Sequence, residues 1–305
     1  MPELPDVVVY IEALEYRILG STLQGVRIRH PFLLRSVTPA PDFAKGRKVC
    51  EIRRLGKRMA IGLDGDLWLV LHLMIAGRLH WQQAQPIANR RIDLAVFDFD
   101  SGSLLLTEAG TQKRASLYVV QGREALEAHQ PGGLEIEGST LEQFRARLLE
   151  GNHTLKRVLT NPRLFSGIGN AYSDEILHRA RLSPITLTQR LSENEVLRLH
   201  AACVEVLQEW LDRLRQEAAD EFPENVTAFR EGMAVHGRFG LPCPVCGSLV
   251  QRICYAANET NYCARCQTGG KMLADRALSR LLKQDWPRTL EEWESMTSSP
   301  DNPGR

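Results

Sequence analysis

The sequence has almost no charge excess: 38 lysines and arginines face 37 aspartates and glutamates in 305 residues, a net charge of +1. Bulk electrostatics therefore gives no argument for a polyanionic partner, and any basic surface must come from a fold that separates charges of opposite sign. Also missing is an apolar run approaching the roughly 18 residues that a membrane span needs. The start, MPELPD, has neither the basic residues nor the apolar stretch of a secretion signal, so a cytoplasmic location and no membrane partner are expected. No internal repeat is visible. A disulfide framework is absent too: of seven cysteines, Cys50, Cys203 and Cys254 are scattered, and the other four form two Cys-x-x-Cys pairs that point to a metal. What remains is an ordinary globular chain, long enough for two or three domains with separate cores.

Residues 4–19 place Leu4, Val7, Val8, Ile11, Leu14 and Ile18 at helical spacing, with Pro5 suited to a first turn and Gly20 to a stop. From Thr22 to about Val120 the pattern changes to short β-rich runs (VRIRH, VCEIRRL, LWLVLHL, LAVFDFD, SLLLTEA, ASLYVV), which predict a β-sandwich or flattened barrel. Gln121–Thr140, rich in Gly, Glu and Pro, reads as a linker or hinge. Helical periodicity returns at Leu141–Leu149, His153–Leu159, Ala171–Ala180 and Glu193–Ala218. The predicted class is α+β multidomain: an N-terminal β-sandwich with a leading helix (1–125), a linker (126–140), a helical domain (141–225), a cysteine-bearing hairpin (226–270) and a tail (271–305). The tail reads as a short charged helix from Lys271 followed by a disordered end, TSSPDNPGR.

Cys243-Pro-Val-Cys246 and Cys263-Ala-Arg-Cys266, sixteen residues apart, have the spacing of a structural zinc site. Four thiolates fill a tetrahedral shell and leave no position for water, so one Zn2+ per chain is expected to hold a hairpin and not to hydrolyse anything. A redox role for the pairs lacks the surrounding βαβ pattern. The intervening SLVQRICYAANETNYC reads as two strands joined by a polar turn, which could offer Arg252 or Arg265 to phosphates.

Ser166-Gly167-Ile168-Gly169-Asn170 sits between two helices, where glycines allow close approach to a phosphate and the next helix points free N–H groups at it. By residue type alone a plain helix connection is the better reading. Lys156 lies one helix upstream. At the chain start, Pro2 is a small second residue, so removal of Met1 is expected to expose a secondary amine. Burial and the helix N-terminus would favour its neutral, nucleophilic form over the usual pKa of about 7.7–8.0. Glu3 is a neighbouring general acid or base and Asp6 a second carboxylate, although both also suit a helix start.

Taken in order, Pro2-Glu3-Leu4-Pro5, Arg54-Leu55-Gly56-Lys57, His72-Leu73 with Gly77, Gly167-Ile168-Gly169-Asn170-Ala171-Tyr172 with Asp174-Glu175-Ile176-Leu177, and the four cysteines ending in Gln267 resemble the formamidopyrimidine-DNA glycosylase and endonuclease VIII family. The resemblance implies DNA held between a β-sandwich and a helix-two-turn-helix and zinc-finger half. It implies a nucleoid-associated, monomeric repair enzyme that flips out a damaged nucleotide, excises the base and cuts the strand by β/δ-elimination. It gives Pro2 the role of nucleophile and Glu3 that of catalytic carboxylate. Lys57, Lys156 and Asn170 become phosphate ligands, with Lys57 also part of the catalytic group. The expected partner is damaged duplex, abasic-site or single-stranded DNA. Two other readings stay open: an abasic-site lyase with little glycosylase activity, and a catalytically silent protein that binds damaged DNA.

This sequence departs from the pattern at the finger, at the wedge, at Met74 and at Asp6, where glutamate is frequent. Asn258 stands where the finger usually carries an arginine, at the cost of a charge-assisted contact of about 1.5–3 kcal/mol, for which Arg252 or Lys271 could substitute. Ile75, Lys113 and Ala115 align with the residues that fill the gap left by the flipped base. Met74 replaces a family glycine. A reduced wedge predicts a preference for abasic, mismatched or single-stranded substrates.

Overall fold

The computed structural model describes residues 1–83, 91–219, 221–224, 226, 229–255, 258–274, 281, 283 and 286–298. Two compact units emerge, Met1–Gly133 with Leu207–Ala228 and Leu134–Val206 with Phe229–Arg305. Among the described residues no helix is long and apolar enough to cross a membrane.

In the first unit, helix α1 (Leu4–Ile18) opens with a proline in its first turn. Its stripe of Val7, Tyr10, Leu14 and Ile18 is fully buried, as the three-to-four spacing of those residues requires. Gly20, at φ 81°, ends it and donates its N–H to the Val49 carbonyl at 2.9 Å. Eight strands follow: β1 (Thr22–Ile28), β2 (Arg47–Leu55), β3 (Arg58–Leu63), β4 (Leu67–His72), β5 (Gly77–Gln82), β6 (Asp93–Phe99), β7 (Gly102–Glu108) and β8 (Ser116–Gln121). Their order is β5-β7-β6-β1-β2-β3-β4-β8, antiparallel throughout. The β1–β2 seam pairs only Thr22 with Lys48 and Leu23 with Arg47, so the sheet divides there into two layers. Leu23, Phe97, Leu104 and Leu106 of one layer meet Met59, Ile61, Leu69, Leu71 and Leu117 of the other, and α1, in one core. That is the predicted sandwich.

Strands β3 and β5 are absent from the six runs read in the sequence. β3 is buried from Met59 to Leu63, but its short run, RMAIGL, is interrupted by Gly62, a residue that weakens a strand signal. Its second face is covered by a smaller cluster of Leu55, Ala60, Trp68, Val70 and Leu126. Leu126 belongs to helix α2 (Arg123–Glu127), within the stretch read as a hinge.

The second unit holds α3 (Leu141–Leu148), α4 (Leu155–Leu159), α5 (Asn170–Arg179) and the first half of α6 (Glu193–Ala218). Thr140 starts α3 with a reciprocal cap: its hydroxyl accepts from Gln143 N–H at 3.2 Å, and the Gln143 side-chain Oε1 accepts from Thr140 N–H at 2.9 Å. Strands β9 (Val250–Tyr255) and β10 (Asn258–Cys263) form the expected hairpin, and α7 (Ala264–Thr268) follows. A helix, α8, lies at Leu290–Ser298, and Lys271 bridges to Thr289; most of the stretch after Lys271 on which the short charged helix is expected, residues 275–280, 282, 284 and 285, lies outside the described residues. Residues 299–305, the rest of the expected disordered end, fall outside the described residues.

Candidate functional site

The chain start is an acidic pair inside a basic rim. Glu3 is extended (φ −114°, ψ −171°) as the residue capping α1, and its N–H donates to Asp6 Oδ2 at 2.8 Å. Pro2, Glu3 and Asp6 are all buried, the two carboxylic residues only 2% and 3% exposed. Burial is the largest influence on the terminal amine, that of Met1, and lowers its pKa. The charges of Arg78 and Lys57 push the same way, and those of Glu3 and Asp6 oppose them. Lys57 reaches this environment from the two-residue turn between β2 and β3, where Gly56 takes φ 62°, as the first position of a hairpin turn of this kind demands. Arg78 was not foreseen. It directly follows Gly77, but nothing in β-strand alternation distinguishes a rim arginine from any half-exposed one. His72, ending β4, is held down at about 4 by burial, with Arg58 and Lys57 adding to it.

Leu73 to Gly77 form a tight turn closed by Gly77 N–H on the Leu73 carbonyl at 2.9 Å. A Cβ on Gly77 would run into that same carbonyl oxygen, so glycine is required here. Met74 takes φ 52°, a left-handed conformation in which glycine is the unstrained choice. The turn leaves Ile75 56% exposed at its tip. The other two positions aligned with the wedge are differently placed. The Lys113 ammonium donates to the Glu108 carbonyl, and Ala115 is buried with its N–H on Glu108 Oε2 at 3.1 Å. Ile75 is thus the exposed apolar member of the three.

In the second unit, Lys156 and Asn170 are brought together, each already engaged. Lys156 Nζ donates to Asp174 Oδ1 at 2.6 Å and to the Asn170 carbonyl at 2.7 Å. Asn170 Nδ2 donates to the Glu259 carbonyl in β10 at 2.8 Å. The hub is Asp174, 1% exposed, whose Oδ2 also meets His236 Nδ1 at 2.8 Å and the Asn261 N–H at 3.1 Å. Beside it Glu175 accepts the N–H groups of Ala234, Val235 and His236 at 2.7, 2.9 and 2.9 Å. Burial raises the Glu175 pKa, and those three bonds oppose the rise. Asp174 and Glu175 therefore tie α5 to the segment that leads into the hairpin. Asn258 opens β10; its side chain lies outside the described residues.

The four cysteine sulfurs lie within 4.8 Å of one another, with Cys246 to Cys263 at 3.4 Å and Cys243 to Cys266 at 3.9 Å. A tetrahedron of about 2.3 Å zinc–sulfur bonds puts its sulfurs about 3.8 Å apart, so the donors fit that ion. His178 Nε2 stands 3.3 Å from Cys243 Sγ, an outer contact of the sort that steadies a metal ligand. Gln267, the last residue of the motif, fixes the knuckle by accepting from Cys263 N–H at 2.8 Å and donating to the Leu182 carbonyl at 2.9 Å.

Three family models match in the order of these elements: the formamidopyrimidine-DNA glycosylase N-terminal domain over residues 1–112, its H2TH domain over 133–219, and the zinc finger found in this family and in isoleucyl-tRNA synthetases over 240–269. The formamidopyrimidine-DNA glycosylase of Heliobacterium modesticaldum is 34% identical over 281 residues, covering 88% of this chain and all of the relative. The chain belongs to the formamidopyrimidine-DNA glycosylase family. The Thermus thermophilus family member is 33% identical with the same coverage. A Mycobacterium tuberculosis protein described as formamidopyrimidine-DNA glycosylase-like is 45% identical over half of this chain. The fold is also that of the Lactococcus lactis enzyme solved with DNA containing an abasic site (TM-score 0.77, 24% identity, 87% of this chain and 99% of that one). The family models end at residue 269, which leaves the tail outside them.

Proposed function

We propose that this protein is a base-excision repair enzyme that removes damaged bases from DNA and cleaves the resulting abasic strand, with the amine of Pro2 as nucleophile. The observation that carries the reading is the buried Glu3–Asp6 pair at the chain start, rimmed by Lys57 and Arg78. With Met1 in place the Pro2 nitrogen is an amide; removal of Met1 turns it into a secondary amine. Burial and the charges of Arg78 and Lys57 lower the pKa of the Met1 amine, and the same influences would favour the neutral, nucleophilic form of an amine on Pro2.

The amine attacks C1′ of the extruded nucleotide, the bond to the base breaks, and the base leaves with a proton for which Glu3 is the nearest acid in sequence. The amine then loses its proton and the sugar ring opens at the C1′–O4′ bond, O4′ taking a proton, to give an iminium, cationic without a proton, that withdraws electrons as the 3′ and then the 5′ phosphate is eliminated. Lys57 holds a phosphate of the damaged strand, and Lys156 and Asn170 serve the backbone from the second unit. Their present bonds to Asp174 and to the Glu259 carbonyl set their geometry, and Asn170 keeps its backbone N–H at the start of α5 for a phosphate oxygen. Ile75 enters the gap left in the duplex. The four cysteines hold one structural Zn2+, which supplies no chemistry to the reaction.

Product analysis tests this reading. Incubation of the Met1-free protein with oligonucleotides carrying a damaged purine, a damaged pyrimidine or a bare abasic site should give strands ending in phosphate on both sides of a one-nucleotide gap. Cleavage confined to the abasic substrate would leave the lyase alone. Tight binding without cleavage of any substrate would make it a damage-binding protein.

A further inference from the structure

The tail beyond the family models folds back onto the finger hairpin and gives it a second core. Gly269 and Gly270, at φ 63° and 87°, turn the chain out of α7. Lys271 then bridges to Thr289, Met272 N–H donates to the Arg288 carbonyl at 2.9 Å, and Leu290 N–H donates to the Gly270 carbonyl at 2.8 Å. Met272, Leu273 and Leu290 are buried against Tyr262 and Ala264, with Ile253 and Trp293 partly buried at the edge. This cluster is separate from the one that Val235 and Val250 form with the cysteines. A two-stranded hairpin is marginally stable by itself, so what packs on it decides how firmly its backbone groups are held.

Tyr262 is where the tail grips. Its ring is fully buried, and its Oη accepts the Leu273 N–H at 2.8 Å, the partner that a tyrosine hydroxyl needs when it is taken out of water. Tyr262 belongs to β10, and its neighbours in that strand hold Asn170 and Lys156. The Glu259 carbonyl accepts from Asn170 Nδ2 at 2.8 Å. The Asn261 N–H donates to Asp174 Oδ2 at 3.1 Å, and Asp174 Oδ1 accepts from Lys156 Nζ at 2.6 Å. Pairing of β10 with β9 runs from Asn258 to Cys263 without a break in register. The strand therefore moves as one piece, and a displacement at Tyr262 is felt at Glu259 and Asn261.

We propose that the C-terminal tail is a strap that fixes β10, with Tyr262 and Leu290 as positioning residues for the phosphate ligands Asn170 and Lys156. Its bearing on DNA rests on the DNA-processing reading above. A positioning role adds no phosphate contact of its own, so loosening the strap lowers affinity and leaves the salt dependence of binding as it was.

The test compares the zinc-loaded full chain with Leu290→Ala, Leu290→Met and a truncation after Gly270. Three quantities are read: hydrogen exchange of peptides from β10, zinc release to a chromophoric chelator, and affinity over a range of salt for a duplex with a stable abasic-site analogue. Leu290→Ala opens a cavity in the second core and should speed exchange in β10 about thirtyfold, with α1 of the first unit unaffected. It should also release zinc faster and bind the duplex about two- to thirtyfold more weakly at an unchanged salt slope. Leu290→Met, which keeps the volume, should restore all three to near wild type, and the truncation should do at least as much damage as Leu290→Ala. Wild-type exchange in Leu290→Ala would overturn the proposal, whether or not the truncation folds. If the wild-type protein itself bound no DNA, the reading beneath would fall and the positioning role with it; normal wild-type binding with unchanged affinity in Leu290→Ala would overturn this inference alone.

Discussion

Replacing Asp174 with alanine should cost the second unit several kcal/mol. The Asp174 carboxylate is 1% exposed and takes three donors: the Lys156 ammonium at 2.6 Å, His236 at 2.8 Å and the Asn261 N–H at 3.1 Å. Lys156 is itself only 14% exposed, so the substitution strands a largely desolvated cation, and breaking a buried pair from one side costs about 3–5 kcal/mol. Two further donors lose their acceptor, so the upper half of that range is expected. Removing the cation as well, in Asp174→Ala/Lys156→Met, should recover part of the loss, because the residual penalty is then that of the neutral donors, about 1–3 kcal/mol. Denaturant unfolding of the zinc-loaded chain, followed by far-ultraviolet circular dichroism and by zinc release to a chromophoric chelator, reads both quantities. A single-variant loss below about 1 kcal/mol, or a double variant no more stable than the single, would refute the reasoning.

Two further outcomes follow from the first unit. Burial and the charges of Arg58 and Lys57 hold His72 at about 4 against an ordinary 6.5, so between those values the unfolded chain binds a proton that the folded chain refuses. Stability is then complete above about 6.5 and falls as the pH drops toward 4; His72→Gln should flatten that limb in denaturation curves, and an unchanged limb would rule His72 out as its source. Ile75→Ala should slow excision from duplex and leave excision from single strands unaltered, because only a duplex has a gap for the tip to fill. With Lys113 and Ala115 turned inward, the wild-type protein should act on single strands about as well as on duplex, and a strong duplex preference in paired assays would contradict this.

Much of this architecture is legible in one dimension because its signals are local. The apolar stripe of α1, the turn at Gly56-Lys57 and the spacing of the cysteine pairs each depend on residues within a few positions, and each element lies where the sequence places it. β3 is less legible because its short run is interrupted by Gly62, although it is no more buried than β4, which the sequence does show. Arg78 and the Asp174–His236 contact are equally hidden, since they depend on neighbours far away in the chain; no local pattern marks His236 as part of the knot that fixes α5 to the hairpin. The tail shows the same limit, because a charged stretch after Lys271 gives no sign that Leu290 and Trp293 will close over Tyr262.

The central claim is covalent chemistry at Pro2, and one measurement addresses it directly. The Met1-free protein is mixed with abasic-site DNA in the presence of borohydride, which reduces any iminium to a stable amine, and the adduct is digested and mapped by mass spectrometry. The account predicts one DNA-linked peptide, joined through the nitrogen of Pro2. An adduct joined instead through a lysine such as Lys57, or no adduct from protein that binds the same DNA tightly, would contradict it.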